Sequence, residues 1–563
     1  MSLGIIPLYL WSFFAFLLPG FALSAWLASK QAVRTTYVVI LLFVCGGVLG
    51  YLAFWIYFAN KLAGKSFSLL AFGLLLLLLL KAQRSGAPVT RLARQIAPPL
   101  LYAAIAGACY LSFLFLVTDP FTIGQDLMDW RFFHDMQPGD NIIPWLFASK
   151  IYARQPLIPF CCGDWLSSDR PPLQTGIILF SWPLKLFGKA GLHYQLLASA
   201  LQCSWICAVW VLVKTLGASN RRAIQLLALL IPSAFLFYNS IYTWPKLLAA
   251  SFILFAATIL VTAHVERRPL THAEVILGAV CVGLALMAHP GSLFSLPLFA
   301  LAVLMKRNLP WRGVVWGVLI LLCFAVPWML YQKYVDPPGN RLLKMHLAGV
   351  IPVDSRTTWQ AVKDAYGSVT FQQVLSNKWK NITHLLGPEP LAGFGPKALR
   401  FDNGVNFNAP ALESARLAQR NYVWNAIGIL NLGWIAAVFA WFRARKPAIP
   451  HSGWLLLAGF LNLILWSFIL FGPAQTHTAH SSYADILLIM MALSGFLLAL
   501  PRWIPISIML LEALNVALVW LPFWPTSPIF RTKMQWPLLV FAIVCSFSLL
   551  VHFGRALARD YDD

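Results

Sequence analysis

The chain has 563 residues, of which 59% are hydrophobic and only 11% are charged. A soluble domain usually carries about 25% charged residues, so this composition excludes a soluble globular protein. Apolar runs long enough to cross a bilayer, which takes roughly 20 residues of helix, recur along the chain. They predict an all-α polytopic membrane protein and exclude a transmembrane β-barrel, whose strands alternate apolar and polar residues.

The formal net charge of +22 lies mostly in short loops between apolar segments. This is the positive-inside pattern, and part of the charge can also meet anionic lipid head groups. The sequence has no basic domain of the kind that binds nucleic acid. Seven of the nine cysteines lie in apolar segments, and no cysteine spacing indicates a zinc site or a disulfide framework.

About fifteen segments are predicted to cross the membrane as helices. They are 6–28, 37–59, 66–81, 97–117, 193–214, 223–241, 244–264, 273–289, 290–306, 311–331, 422–442, 452–471, 483–500, 503–522 and 535–554. The basic loops fall on one side only if 173–188 does not cross, so this segment is predicted to be an amphipathic or re-entrant helix. The topology then puts the N-terminus outside, the C-terminus in the cytoplasm, and the unusual polar segments together on the outer face.

The stretch from Asp119 to Pro172 holds seven of the chain's 20 acidic residues, which marks it as a candidate site. Asp126 and Asp129 form an Asp-x-x-Asp pair whose carboxylates suit a divalent cation. The same acids can equally pair with Arg131, and neither interpretation dominates.

Asp140 precedes a short helix that is predicted to begin near Pro144. An ionised carboxylate there can serve as a general base, although position alone favours a helix cap. Arg170 precedes two prolines at the expected water–lipid boundary, where a guanidinium suits a lipid-borne phosphate. A snorkelling arginine, or a local pair with Asp169, is the alternative.

Further polar residues lie on the predicted outer face. Lys246 can supply a second cation for phosphate, although a lysine near an interfacial tryptophan is more often an anchor. The histidines and tyrosine of this face can bind sugar hydroxyls, or a metal together with an aspartate, but a plain polar loop is the simpler interpretation. They are His289, His477, His480 and Tyr483.

At these residues the chain resembles the GT-C glycosyltransferases, especially the lipid A aminoarabinose transferases and the protein O-mannosyltransferases. The matching features are an early acid at Asp140, a short surface helix at 148–152, the Gly163-Asp164-Trp165 element, and Arg170 before Pro-Pro-Leu. Leu186-Phe187-Gly188 follows, as in that family. The second acid of the family has no counterpart, since Asn239, Trp244 and Lys246 stand in that region.

The resemblance implies that Asp140 is the catalytic base or orients the acceptor, with Asp129 as a further candidate, and that Arg170 and Lys246 hold the donor phosphate. Acceptor or sugar binding would fall to a third set of residues, namely Asp126, Asp169, His289, His477, His480 and Tyr483. The resemblance also divides the chain into domains. These are extra helices (1–92), a seven-helix core (93–331) with a catalytic outer loop (118–192), an outer cap (332–421) and C-terminal helices (422–563).

The expected activity is transfer of a sugar from a polyprenyl-phosphate donor to a glycan, lipid or protein acceptor of the cell envelope, in a bacterial inner membrane. No cofactor is expected beyond an optional divalent cation. An O-antigen ligase or polymerase that uses a diphosphate carrier is the alternative enzyme. A lipid or sugar transporter ranks below both, because few charges lie within the spans and no internal repeat is present.

Overall fold

The protein is helical throughout its regular structure, except for one short strand pair. The computed structural model describes residues 2–116, 139–160, 165–184, 190–305, 310–387, 399–400, 406–407, 409–443, 446–521 and 534–558. Within these residues the only strands are the antiparallel dipeptides Leu399–Arg400 and Asn406–Phe407. The prediction of a polytopic α-helical membrane protein is confirmed at this level.

The helices are numbered in chain order. Those of the first half are α1 (Ile5–Ala28), α2 (Thr35–Ala59), α3 (Lys61–Arg84), α4 (Val89–Leu114), α5 (Ile143–Ala153), α6 (Leu173–Ser181), α7 (Ala190–Gln202), α8 (Ser204–Thr215), α9 (Asn220–Leu230), α10 (Ala234–Ile241), α11 (Lys246–Val265) and α12 (His272–Ala288). Those of the second half are α13 (Leu296–Leu304), α14 (Trp311–Tyr334), α15 (Arg341–Ala348), α16 (Thr358–Gly367), α17 (Phe371–Leu386), α18 (Ala409–Asn421), α19 (Val423–Ile427), α20 (Leu432–Phe442), α21 (Ser452–Ile469), α22 (Tyr483–Leu497), α23 (Trp503–Asn515) and α24 (Trp536–Ala558).

In the described part of the chain, eleven helical stretches are long and apolar enough to cross a membrane. The pair α9 and α10, bent by 82°, makes a twelfth if it counts as one span. Helices α12, α13 and α22 coincide with predicted spans but are shorter. Every predicted segment therefore contains helix, whereas the number of crossings, about fifteen, stays a prediction.

Two ends of the bundle are distinguished by their polar contacts. At one end Arg34, which follows α1, pairs with Glu266 after α11, and Arg268 pairs with Glu274 of α12 at 2.6 Å. At the other end Arg154 donates to the carbonyl of Phe58 near the end of α2 at 3.2 Å. Since α2 and α11 each run from one end to the other, the start of α11 lies at the same end as Arg154.

Helix α6 fixes the position of the chain that precedes it. It has nine residues, too few to cross a bilayer, and residues 173–180 are all buried. It packs against α2 through Gly50 and Gly176, which approach so closely that a Cβ on Gly176 would overlap the Gly50 carbonyl. Residues 173–180 are therefore buried on all sides, which fits the re-entrant alternative and not an amphipathic surface helix.

The first two helices belong to the same hydrophobic core as the rest of the bundle. The Tyr9 hydroxyl of α1 donates to the carbonyl of Ala103 in α4 at 3.2 Å, and the Tyr51 hydroxyl of α2 donates to Phe324 of α14 at 3.0 Å. Buried hydroxyls of this kind fix the register of neighbouring helices. Helix α2, against which α6 packs, therefore helps to position the segment that holds Arg170.

A layer of shorter helices, α15 to α18, follows the end of α14. Threonine caps begin two of them, since the Thr357 and Thr370 side chains accept the backbone N–H groups of Gln360 and Gln373. The layer is tied to the first loop by Asp336, which accepts hydrogen bonds from the Ser167 hydroxyl and the Ser168 N–H at 2.6 and 2.8 Å.

Candidate functional site

Asp140 lies in the 3-10 turn Gly139–Ile142, directly before α5, and it is buried. Its neighbour Asn141 donates to the carbonyl of Tyr242 at 2.9 Å, which ties this turn to the segment before α11. The Asp140 carboxylate makes an ion pair with the Arg170 guanidinium, and both side chains are nearly inaccessible to solvent. The carboxylate therefore faces a cation in the interior.

Arg170 is held from both sides. Besides its pair with Asp140, it donates to the carbonyl of Asp169 at 2.9 Å, and its guanidinium lies 5.1 Å from the Trp165 ring. Pro171 and Pro172 follow and lead into α6, whose packing on α2 fixes the backbone. The side chain is thus placed in the interior and does not snorkel to the surface.

The turn between α10 and α11 carries the centre of the site. Gln174 of α6 donates to the carbonyl of Thr243 at 3.0 Å. Thr243 itself has a φ of 66°, a left-handed backbone that a β-branched residue rarely adopts. Such conformations persist only where the surroundings enforce them, and they concentrate at functional sites. The turn presents Trp244 and Lys246 to the Asp140–Arg170 pair.

Three cations surround the Trp244 ring. The guanidinium carbons of Arg170 and Arg420 lie 5.9 and 5.1 Å from the ring centroid, and the Lys246 ammonium lies at 4.9 Å. All three side chains are buried, and all three act electrostatically on Asp140. Among the described residues at this ring, one carboxylate thus faces three cations.

Lys246 is the first residue of α11 and is only 3% exposed. Its ammonium lies 5.0 Å from the Tyr483 ring and has no hydrogen-bond partner among the described residues. The N-terminus of a helix carries a partial positive charge, so it adds to the field of the ammonium. A buried cation at such a position favours the binding of an anion.

Burial raises the pKa of the Asp140 carboxyl, and Arg170, Arg420 and Lys246 act against that rise. Burial disfavours the charged carboxylate and makes it a better proton acceptor once its cations are drawn to another anion. This arrangement can hold a phosphate on the cations and leave the carboxylate to receive a proton.

Four imidazole rings contact one another in succession, beginning near the cations. The ring centroids of His346 and His480 are 5.7 Å apart, those of His480 and His477 are 5.2 Å apart, and those of His477 and His384 are 4.8 Å apart. Burial lowers the pKa of His346 and of His477 to about 4 each, and the charge of Lys246 adds to the effect on His346. The His346 and His477 rings are therefore neutral near pH 7 and can both donate and accept hydrogen bonds.

Two further residues that the sequence singled out, His289 and Tyr483, lie around Lys246. His289 interacts electrostatically with Lys246, Arg170 and His480, and its Nδ1 accepts the Gly291 N–H at 3.0 Å. The Tyr483 hydroxyl donates to the Asn239 side chain at 2.9 Å. Asn239 thus accepts a hydrogen bond at the position where the sequence lacks a second acid.

Asp169 has a different environment from Asp140. Its carboxylate pairs with Arg341 of α15 and accepts the N–H of Leu166, both at 2.9 Å. The structure therefore gives this residue contacts that hold the first loop to the cap. Asp126 and Asp129 lie outside the described residues.

Arg420, His346 and His384 were not anticipated from the sequence. Arg420 lies in α18 one helical turn after Arg416, and both arginines are buried. Two arginines on one turn of a helix near a membrane read equally well as solvated charges, so the sequence signal was weak. In the parts of the chain that the structure describes, no group of three or more histidine, cysteine, aspartate or glutamate side chains could hold a metal ion.

Comparisons with models of protein families, with curated proteins and with solved structures give no match to this chain.

Proposed function

We propose that the protein is a membrane glycosyltransferase that moves a sugar from a polyprenyl-phosphate donor to an acceptor of the cell envelope. The observation that carries the proposal is the buried Lys246 ammonium, which has no hydrogen-bond partner among the described residues and lies with Arg170 and Arg420 around the Trp244 ring. Buried charges are normally paired, so an ammonium group without such a partner favours an anionic ligand.

The position of the cations favours an anion that belongs to a lipid. Lys246 begins α11, a helix long and apolar enough to cross the membrane, so its ammonium lies at the level where that span begins. The phosphate of a polyprenyl carrier is confined to the same level, because its chain stays in the hydrocarbon. Arg170 suits a phosphate, since a guanidinium presents two parallel donors.

The chemistry follows from competition for Arg170. A donor phosphate that binds Arg170 and Lys246 draws the guanidinium away from Asp140. The carboxylate then takes the proton of the acceptor hydroxyl as that oxygen attacks the anomeric carbon. The bond from carbon to the phosphate oxygen breaks, and the cations stabilise the charge that grows on the departing phosphate. His289, His346 and His480 bind hydroxyls on the acceptor side.

The test uses purified protein in lipid nanodiscs with a panel of polyprenyl-phosphate sugars. Asp140→Asn is expected to lower turnover by about 100-fold or more, the usual range for loss of a general base, while donor binding is retained. The matched control is Glu512→Gln, because Glu512 is also a buried carboxylate but accepts the Ile429 N–H at 2.8 Å in another part of the bundle. Turnover by Asp140→Asn equal to that of the control would remove Asp140 from the mechanism.

A second candidate is an enzyme that uses a diphosphate carrier, as O-antigen ligases and polymerases do. It is favoured by the presence of two buried arginines, Arg170 and Arg420, beside Lys246. The two candidates are separated by measuring how strongly inorganic phosphate and inorganic pyrophosphate each inhibit donor binding. A monophosphate enzyme loses little affinity in Arg420→Gln, whereas a diphosphate enzyme loses pyrophosphate binding in that variant.

A further inference from the structure

Helix α17 has an exposed apolar stripe. Phe371, Leu375 and Trp379 follow one another at intervals of four residues and are 77%, 51% and 66% exposed. Side chains four apart lie on one face of a helix, so the three form a continuous stripe. Lys380 and Ser376 are exposed on the polar side of the same helix. The helix therefore has one apolar and one polar exposed face.

The buried face of α17 fixes its height against the bundle. Lys378 donates to the carbonyl of Leu470, and the Asn381 side chain donates to the same carbonyl at 3.3 Å. Leu470 directly follows Ile469, the last residue of α21, which is long and apolar enough to cross the membrane. Helix α17 therefore lies where a membrane span ends.

The surroundings of the stripe have the composition of a membrane interface. Trp359 of α16 is 75% exposed and Ile351 is 62% exposed. The exposed basic residues of α16 and α17 are Lys363 and Lys380. Tryptophan and basic residues together are typical of the head-group region, and basic residues attract anionic lipids.

We propose that the stripe Phe371–Leu375–Trp379 is a membrane-docking face that lies in the head-group region of the bilayer, against anionic lipid. Aromatic side chains that are exposed at the end of a membrane span contact the head-group region of the bilayer. Burying the stripe there removes apolar surface area from water.

The docking face is joined to the candidate site through the other side of α17. The His384 Nδ1 lies 2.8 Å from the carbonyl of Thr476, and the Asn381 side chain accepts the Gln475 N–H at 3.1 Å. These bonds hold the loop that carries His477 and His480. If the proposed function holds, α17 connects the bilayer surface to the acceptor side of the site.

The experiment is photo-crosslinking in nanodiscs that contain phosphatidylglycerol. Benzoylphenylalanine replaces Phe371 in one protein and Trp379 in a second, and it replaces Lys380 in a third, which is the matched control on the polar face. We expect lipid adducts, detected by mass spectrometry of the purified protein, at 371 and 379 and at least five-fold fewer at 380.

A crosslinked dimer at 371 and 379 in place of lipid adducts would assign the stripe to contact between two copies and overturn the proposal. Equal lipid labelling at all three positions, or no labelling at any, would overturn it as well. The readout requires no enzymatic activity, so its result is independent of the glycosyltransferase proposal. The link from α17 to the site is tested by the triple variant Phe371→Ser, Leu375→Ser and Trp379→Ser, which should raise the KM for the acceptor but leave binding of the polyprenyl-phosphate donor unchanged.

Discussion

Asp140 and Arg170, 30 positions apart in the sequence, form a buried ion pair whose positive partner is accompanied by two further cations. The pair joins the start of α5 to the chain that enters α6. Because Arg420 and Lys246 also act on the Asp140 carboxylate, the two members of the pair are not equivalent. Loss of the acid leaves three positive groups together, whereas loss of the arginine leaves an acid that still faces Lys246 and Arg420.

This asymmetry gives the first prediction. Asp140→Asn is expected to lower the free energy of unfolding by about 3–5 kcal/mol, the usual result of leaving a buried charge uncompensated, and Arg170→Gln by less. The measurement is thermal unfolding in detergent, followed by tryptophan fluorescence. Added pyrophosphate should restore Asp140→Asn more than Arg170→Gln. If Arg170→Gln has the lower melting temperature, the charge balance derived for this site is wrong.

Lys246 gives a second prediction of a different kind. Its ammonium is buried and has no hydrogen-bond partner in the described part of the chain, so its desolvation is not repaid within the protein. Lys246→Met should leave the melting temperature unchanged or raise it, while the affinity for pyrophosphate falls about ten-fold, a loss of roughly 1.4 kcal/mol. The two effects are measured on one sample by melting and by isothermal titration. A fall in stability with unchanged affinity would show that Lys246 serves the fold alone.

The sequence predicted the helices well, because membrane-length apolar runs leave little choice of structure. Loop charges led to the prediction that 173–188 does not cross, and the nine-residue α6 is too short to span a bilayer by itself. The shorter helices α12 and α22 show why span counting is less secure. An apolar sequence indicates only that a segment is kept away from water. A helix buried inside the protein and a helix that faces lipid have the same apolar pattern.

The candidate site was predicted only in part, and the reason lies in its long-range contacts. Asp140 and Arg170 stood out because acids and bases are scarce near apolar sequence. Their direct pairing depends on the approach of α6 to α2 at Gly50 and Gly176, which no local pattern announces. Arg420 reaches the same ring from α18, and such a return of the chain is visible only in three dimensions.

The neutral histidines give a third prediction, in the pH dependence of stability. Their folded-state pKa, about 4 for His346 and His477, lies below the unfolded value near 6.5. Between these values the unfolded chain binds more protons, so stability is fully present above pH 6.5 and is lost as the pH falls toward 4. Asp140 and Asp169 have raised pKa values and contribute with the opposite sign, which makes a comparison of variants necessary.

His346→Gln is therefore expected to reduce the loss of melting temperature between pH 7 and pH 4.5 relative to the unsubstituted protein. The matched control is His272→Gln, since His272 is exposed at the start of α12. The control should keep the full pH dependence. An unchanged profile in His346→Gln would mean that folding does not lower the pKa of this imidazole.

The close approach of α2 and α6 gives the last prediction. Because a Cβ on Gly176 would overlap the Gly50 carbonyl, Gly176→Ala must push the two helices apart. Overpacking of this kind destabilises by about 1–3 kcal/mol, and here it should also displace Arg170 and weaken pyrophosphate binding. Gly278→Ala in α12 is the control, since a Cβ there meets nothing within 4 Å. Alanine replaces a helical glycine in both variants, so the control should gain about 0.5–1 kcal/mol while Gly176→Ala loses stability. Equal stability and equal pyrophosphate binding in the two variants would show that α6 does not depend on this contact for its position.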